Sequence, residues 1–345
     1  MKSWEIGSFL LTKCAIIIIG DYMLDISLDK RLELLSGLQY YVAKKNNLNY
    51  HWIKENYKEY NSLFYELCDK YISKELEEYI LQGSLGYYEQ PLILAFHLDE
   101  DYNIINRETL KLNKNIDLDK LERLIKEFVT TSNYDSFFNN QKELFISLKE
   151  KMTQFINYYE PFNKEKIINF FGYQKGDMKM INLNFIRGNY GLEYNNDTYF
   201  ISDIKRINNE FNVSSGIIRT LYHEFSHPYV NPLGEKYFKD IDLSPLINDA
   251  KENGLESWYN TPITLINEYV VRACETMLIS NLKDINESFM IHQKVGYKYI
   301  KELCNLFNNK NNYPTFEEFY KNEIVPFFLN LNNKLSKNDK IKRNL

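Results

Sequence analysis

Apolar positions along the chain follow first a helical period, then a strand period, then a helical one again. Leu28, Leu32, Leu35 and Val42 recur at helical spacing, as do Leu118, Leu121, Ile125 and Phe128. A longer helical pattern runs through Phe138, Leu144, Phe145, Leu148, Met152, Phe155 and Ile156 until Pro161 ends it. Gly172 closes a short helix through Ile167, Ile168 and Phe171. Ahead of all these, Ala15–Ile19 is an unbroken apolar run and predicts a strand covered on both faces.

The period then changes to two. Ile181, Leu183 and Phe185 alternate with Asn182 and Asn184, the pattern of a half-buried strand. Gly188-Asn189-Tyr190-Gly191 predicts a turn, after which Leu192, Tyr194 and Thr198–Ile201 resume strand chemistry. Helical spacing returns from about Ser215 to the end, with polar Asn308–Asn312 expected as a loop and the basic residues from Lys334 as a frayed tail. The pattern predicts a predominantly helical α+β chain with a small antiparallel sheet near 178–202. It divides into a helix-rich region at 1–160, a second domain at 161–335 and a basic tail at 336–345.

Composition narrows the function classes. A net charge of -5 argues against a nucleic-acid binder, which needs a basic surface. Cys14, Cys68, Cys274 and Cys304 lie too far apart for a cysteine zinc site or a C-x-x-C redox motif. The N-terminal apolar run is broken by Thr12 and Lys13, carries Glu5 where a signal peptide is basic, and is too short to span a membrane. A cytoplasmic protein with no membrane span is expected, with secretion the alternative if the N-terminal apolar run is an atypical signal. No Walker-type loop and no G-x-S-x-G is present, so nucleotide hydrolysis and serine esterase chemistry have no support.

One segment carries chemistry: His223-Glu224-Phe225-Ser226-His227, an H-E-x-x-H match. On a helix, His223 and His227 stand one turn apart on one face and can reach a single metal ion. Glu224 is offset by about 100° and can meet a water beside that ion without displacing it. Ile218, Leu221, Tyr222 and Phe225 supply the apolar stripe of such a helix, and Ser214 or Ser215 its N-cap. Pro228 should stop or kink it, and Asn231-Pro232 should reverse the chain.

Catalytic zinc takes three protein ligands and keeps one position open. His292 and several acidic residues follow the motif. Glu268 is the best placed of them, on a helical segment that Pro262 begins. The competing role for Glu268 is an i, i+4 ion pair with Arg272 on a solvated face. His97, near Asp99, Glu100 and Asp101, is expected in a solvated turn, and His51 has no evident partner.

H-E-x-x-H followed by a helical Asn267-Glu268 resembles the gluzincins, zinc peptidases whose third ligand is a glutamate. The wider text, His223–Pro232 with Asn267–Ala273, is similar to an uncharacterised bacterial family of metallopeptidase type known only as a domain of unknown function (number 4932). Leu28–Leu35, Asn189–Gly191 and Tyr313–Phe319 resemble further landmarks of that family. The resemblance implies a zincin-like domain holding one Zn2+ on His223, His227 and Glu268, with Glu224 as general base and a peptide or protein as substrate. Two positions depart from the thermolysin-like pattern. Pro228 follows the second histidine, and Arg272 stands where an aspartate orients a zinc histidine. Glu275, on the same helix face, is then the candidate to orient an imidazole, and His292, Tyr297 and Tyr299 are candidate oxyanion donors. The alternatives are a non-catalytic binding protein with a vestigial or structural metal site, and a zinc amidase acting on a non-peptide substrate.

Overall fold

The computed structural model describes residues 24–48, 58–81, 89–112, 116–156, 162–183, 190–203, 205–207, 210–212, 216–255, 261–279 and 282–343. The strand expected at Ala15–Ile19, His51, Phe185, the turn residues Gly188 and Asn189, and the caps expected at Ser214 or Ser215 lie outside them.

Helix α1 (Lys30–Lys45) starts where the Asp29 carboxylate accepts the N–H groups of Arg31 and Leu32, satisfying donors that a helix start leaves orphaned. It is followed by α2 (Lys58–Tyr71), α3 (Lys74–Tyr79), α4 (Gln90–Phe96) and α5 (Leu118–Ser132). The long pattern expected from Phe138 to Ile156 is two helices, α6 (Tyr134–Asn140) and α7 (Lys142–Gln154). Gln141 parts them, its N–H bonding Phe138 in a tightened turn. Helix α8 (Lys164–Phe171) is capped by Asn163 and closed by Gly172 at φ 84, a left-handed conformation that suits glycine.

Strands β1 (Asp25–Ser27), β2 (Met178–Leu183), β3 (Tyr190–Tyr194) and β4 (Asp197–Asp203) form one sheet in the order β1-β2-β4-β3. The expected antiparallel sheet is in fact mixed: β1 and β4 both run parallel to β2, and only the β3–β4 hairpin is antiparallel. Period-two patterning marks strands but not their direction: β1 comes from far upstream, and β4 is parallel to β2 because β3 takes the edge and β4 returns between them. A two-residue turn, Asn195 and Asn196 at φ 51 and 69, closes the hairpin and leaves β3 on the edge. Strands β5 (Lys205–Ile207) and β6 (Glu210–Asn212) pair separately.

The remaining helices are α9 (Ile217–Glu224), α10 (His227–Phe238), α11 (Ser244–Glu252), α12 (Pro262–Ile279), α13 (Leu282–Lys294), α14 (Ile300–Leu306), α15 (Phe316–Phe319) and α16 (Val325–Arg343). Helix α12 is buried nearly all round, and both α9 and α10 pack against it. Two expectations are corrected here. The polar 308–312 stretch is a 3-10 turn (Phe307–Asn312), and Lys334 lies within α16, which runs on through Arg343. No helix among the described residues is long and apolar enough to cross a membrane.

Candidate metal centre

The H-E-x-x-H segment lies across a helix break. Helix α9 ends at Glu224 and α10 begins at His227, with Phe225 and Ser226 in helical dihedrals between them. Pro228 is the cause, since it has no N–H to return to the Glu224 carbonyl. The Ser226 N–H closes a shorter turn on the His223 carbonyl, and its hydroxyl bonds the Tyr222 carbonyl at 2.6 Å. The two histidines therefore keep near-helical spacing, with ring centroids 4.9 Å apart.

Asn231-Pro232 does not reverse the chain. Pro232 sits inside α10 and leaves the Pro228 carbonyl without its helical donor, and the Lys175 ammonium takes that carbonyl at 2.7 Å. This long-range contact lets the helix continue. Tyr229 anchors the same region, stacking on Phe171 at 4.2 Å and accepting the Lys175 N–H.

Helix α12 brings Glu268, Arg272 and Glu275 to one face at i, i+4 and i+7. Glu268 Oε1 lies 3.6 Å from His227 Nε2, and Oε2 lies 3.7 Å from His223 Nε2. The ion pair of Glu268 with Arg272 forms at 3.2 Å, but on the wall of a cleft rather than on a solvated face. Gly234 of α10 faces the Asn267 side chain of α12, and a β-carbon would stand 1.9 Å from Asn267 Oδ1.

Each imidazole is held by its outer nitrogen. His223 Nδ1 donates to Glu275 Oε2 at 3.1 Å, and His227 Nδ1 donates to Asn231 Oδ1 at 3.2 Å. With both protons on Nδ1, the Nε2 atoms present lone pairs to one another at 3.3 Å, beside a carboxylate. A proton on one ring or a metal cation between them relieves such a contact, and a metal ion would engage both nitrogens and the carboxylate at once. The fit to a metal ion is reinforced by Glu268 Oε2, which is buried and, apart from its ion pair with Arg272, forms no hydrogen bond. A ligating atom of Glu224 also falls within 4.8 Å of one from each histidine.

Glu275 is the orienting carboxylate. Only 2% of its side chain is exposed, and it sits between His223, His292 at 3.5 Å and Arg219 at 3.4 Å, the last also bonded to Ser288. Burial pushes its carboxyl up, but hydrogen bonds from His223 and His292 outweigh that and hold it at about 2. Burial lowers the His223 imidazole, yet Glu275, Glu268 and Glu224 raise it overall. Burial likewise opposes ionisation of Glu268, and His223, His227 and Arg272 reverse the sign and lower its carboxyl.

The cleft has a volume of about 480 Å³, and strand β3 contributes Tyr190, Gly191, Leu192 and Glu193 to its lining. Gly191 faces Glu224. In a hairpin closed by a two-residue turn the pair beside the turn is hydrogen-bonded, so the alternate residues Glu193 and Gly191 direct their peptide groups away from β4.

Of the other residues considered from sequence, His97 is structural: Nδ1 bonds the Ile93 carbonyl and Nε2 meets Thr109 Oγ1 at 3.2 Å. Asp99 closes its own turn on the N–H groups of Asp101 and Asn103. Cys274 is buried, and that burial raises its thiol well above the ordinary value, so it stays protonated. Asn231, Gly191, Gly234 and Arg219 were not anticipated. Asn231 stands one helical turn after His227, a signal masked by the proline that follows it.

The sequence profile of a family described as a domain of unknown function (DUF4932) matches residues 101–326. No curated protein and no solved structure matches the chain.

Proposed function

The chain belongs to the DUF4932 family, and from its cleft we propose that it is a zinc-dependent hydrolase of peptide bonds, with His223, His227 and Glu268 as metal ligands and Glu224 as general base. The observation that carries this reading is the pair of Nε2 atoms 3.3 Å apart with the Glu268 carboxylate beside both. Two neutral imidazoles and one carboxylate are a donor set for zinc in hydrolytic sites. Zinc held there would polarise a carbonyl and lower the pKa of a water toward neutrality.

The protein's own groups do the rest. Glu224 accepts a proton from the attacking water and returns it to the departing amine, a shuttle that a carboxylate performs in both directions. Glu275 and Asn231 hold the imidazoles by Nδ1, which keeps Nε2 free for the metal. The outward peptide groups of Gly191 and Glu193 offer an extended substrate an edge to pair with, which favours a peptide over a compact amide.

The test is incubation of the zinc-loaded protein with a peptide library, reading cleavage products by mass spectrometry. Metal-dependent cleavage is expected. A protein that binds zinc stoichiometrically yet cleaves no peptide, while hydrolysing small amides, would move the assignment to a non-peptide amidase.

A further inference from the structure

The hydrolase reading leaves unassigned the group that stabilises negative charge on the carbonyl oxygen as water adds. We propose that Arg272 is that donor, and this inference rests on the reading above.

The residues that sequence offered for the role stand elsewhere. His292 is buried behind Glu275, on the side of that carboxylate away from the cleft. Tyr297 is buried beneath the Arg272 guanidinium, whose centre lies 4.5 Å from the ring centroid. Tyr299 packs against Lys298, and none of the three lines the cleft. Among the cleft residues that carry side-chain donors, the Tyr190 hydroxyl meets Glu89 at 3.3 Å, and Asn231, whose Oδ1 accepts from His227, offers only a neutral amide N–H where Arg272 offers a cation.

Arg272 has the position and the chemistry. Its guanidinium contacts Glu268 at 3.2 Å, and Glu268 contacts both imidazoles, so the donors lie beside the point where the proposed ligands converge. Stacking on Tyr297 fixes the guanidinium plane before substrate arrives, and a planar fork offers donors beyond those facing Glu268. With 22% of the side chain exposed, the head is reachable from the cleft but poorly hydrated, which strengthens its field on a developing charge. A cation held by Glu268 would weaken that carboxylate's pull on the guanidinium and leave its other donors to substrate. No proton moves at Arg272. The water's oxygen adds to the carbonyl carbon, the electron pair of the C=O bond goes to oxygen, Arg272 donates hydrogen bonds to that oxygen, and the water's proton goes to Glu224.

The experiment compares zinc-loaded wild type, Arg272→Gln and Arg272→Lys by zinc content and by calorimetric titration with a phosphinic peptide and with a product peptide. The phosphinate mimics the tetrahedral oxyanion and the product does not, so only the first should report this donor. Arg272→Gln is expected to keep its zinc, to weaken phosphinate binding about 100-fold and product binding less than about threefold, and to lower kcat by a factor similar to the phosphinate loss. Arg272→Lys should fall between. Phosphinate affinity in Arg272→Gln within about threefold of wild type, with zinc retained, overturns the proposal and leaves the hydrolase reading standing. Loss of zinc from both variants also overturns it, because Arg272 would then act by positioning Glu268. A wild-type protein that takes up no zinc sinks both readings together.

Discussion

Gly191 of the edge strand lies so close to Glu224 that a β-carbon added to it would stand 2.4 Å from the carboxylate Oε2 and 2.9 Å from the glutamate Cβ. The carboxylate could swing aside, but the Cβ is fixed to helix α9, so strand and helix must separate. Gly191→Ala should therefore lower kcat/KM at least about tenfold while leaving zinc content unchanged, by displacing Glu224 without touching a ligand. Steady-state kinetics with metal analysis checks this, and unaltered turnover would show that the close approach has no catalytic consequence.

Glu224→Gln preserves the shape of the side chain and removes its basicity. Zinc should remain stoichiometric, and turnover should fall by about 10²–10⁴. Loss of zinc from this variant would instead make Glu224 a ligand.

Zinc uptake should depend on residues from both packed helices. His223→Ala and Glu268→Ala are expected to lose the metal on dialysis, whereas Cys274→Ser keeps it, since that thiol is buried and held protonated. Atomic absorption of the dialysed variants distinguishes these outcomes.

Glu275 links the site to stability. Its carboxyl is pushed up by burial and held down, to about 2 from an ordinary 4.5, by hydrogen bonds from His223 and His292. A folded value below the unfolded one means that this stabilisation is complete above about 4.5 and is lost as pH falls toward about 2. Glu275→Gln should then cost about 3 kcal/mol at neutral pH. Denaturation curves for the variant and wild type should converge as acid is added through that window. A constant difference at every pH would assign the loss to packing instead of charge.

Gly234 lies where α10, which carries His227, packs on α12, which carries Glu268. A β-carbon there would meet Asn267 Oδ1 at 1.9 Å, so the buried Asn267 amide must rotate away or α10 must move off α12. Gly234→Ala should destabilise the fold by about 1–3 kcal/mol and weaken zinc binding, although the residue touches no ligand. Competition with a chelator measures the second effect.

Much of this site was legible in local spacing. The apolar stripe of Ile218, Leu221, Tyr222 and Phe225 marked helix α9, and His223 and His227 one turn apart marked a metal-binding face. The i, i+4 and i+7 positions of Glu268, Arg272 and Glu275 put them on one side of α12 before any contact was known. The turn at Asn231-Pro232 was misjudged because a proline inside a helix is tolerated only if something else satisfies the carbonyl it strands. Here that is Lys175, from a distant loop.

Local spacing carries which side chains share a helical face and what chemistry that face presents, because a helical period is a property of consecutive residues. That Glu268 reaches both imidazoles, that the Arg272 pair lines a cleft, and that β4 lies between β2 and β3 are outcomes of packing. Each of those depends on how elements far apart in the chain pack against a common core, and no local pattern records that distance.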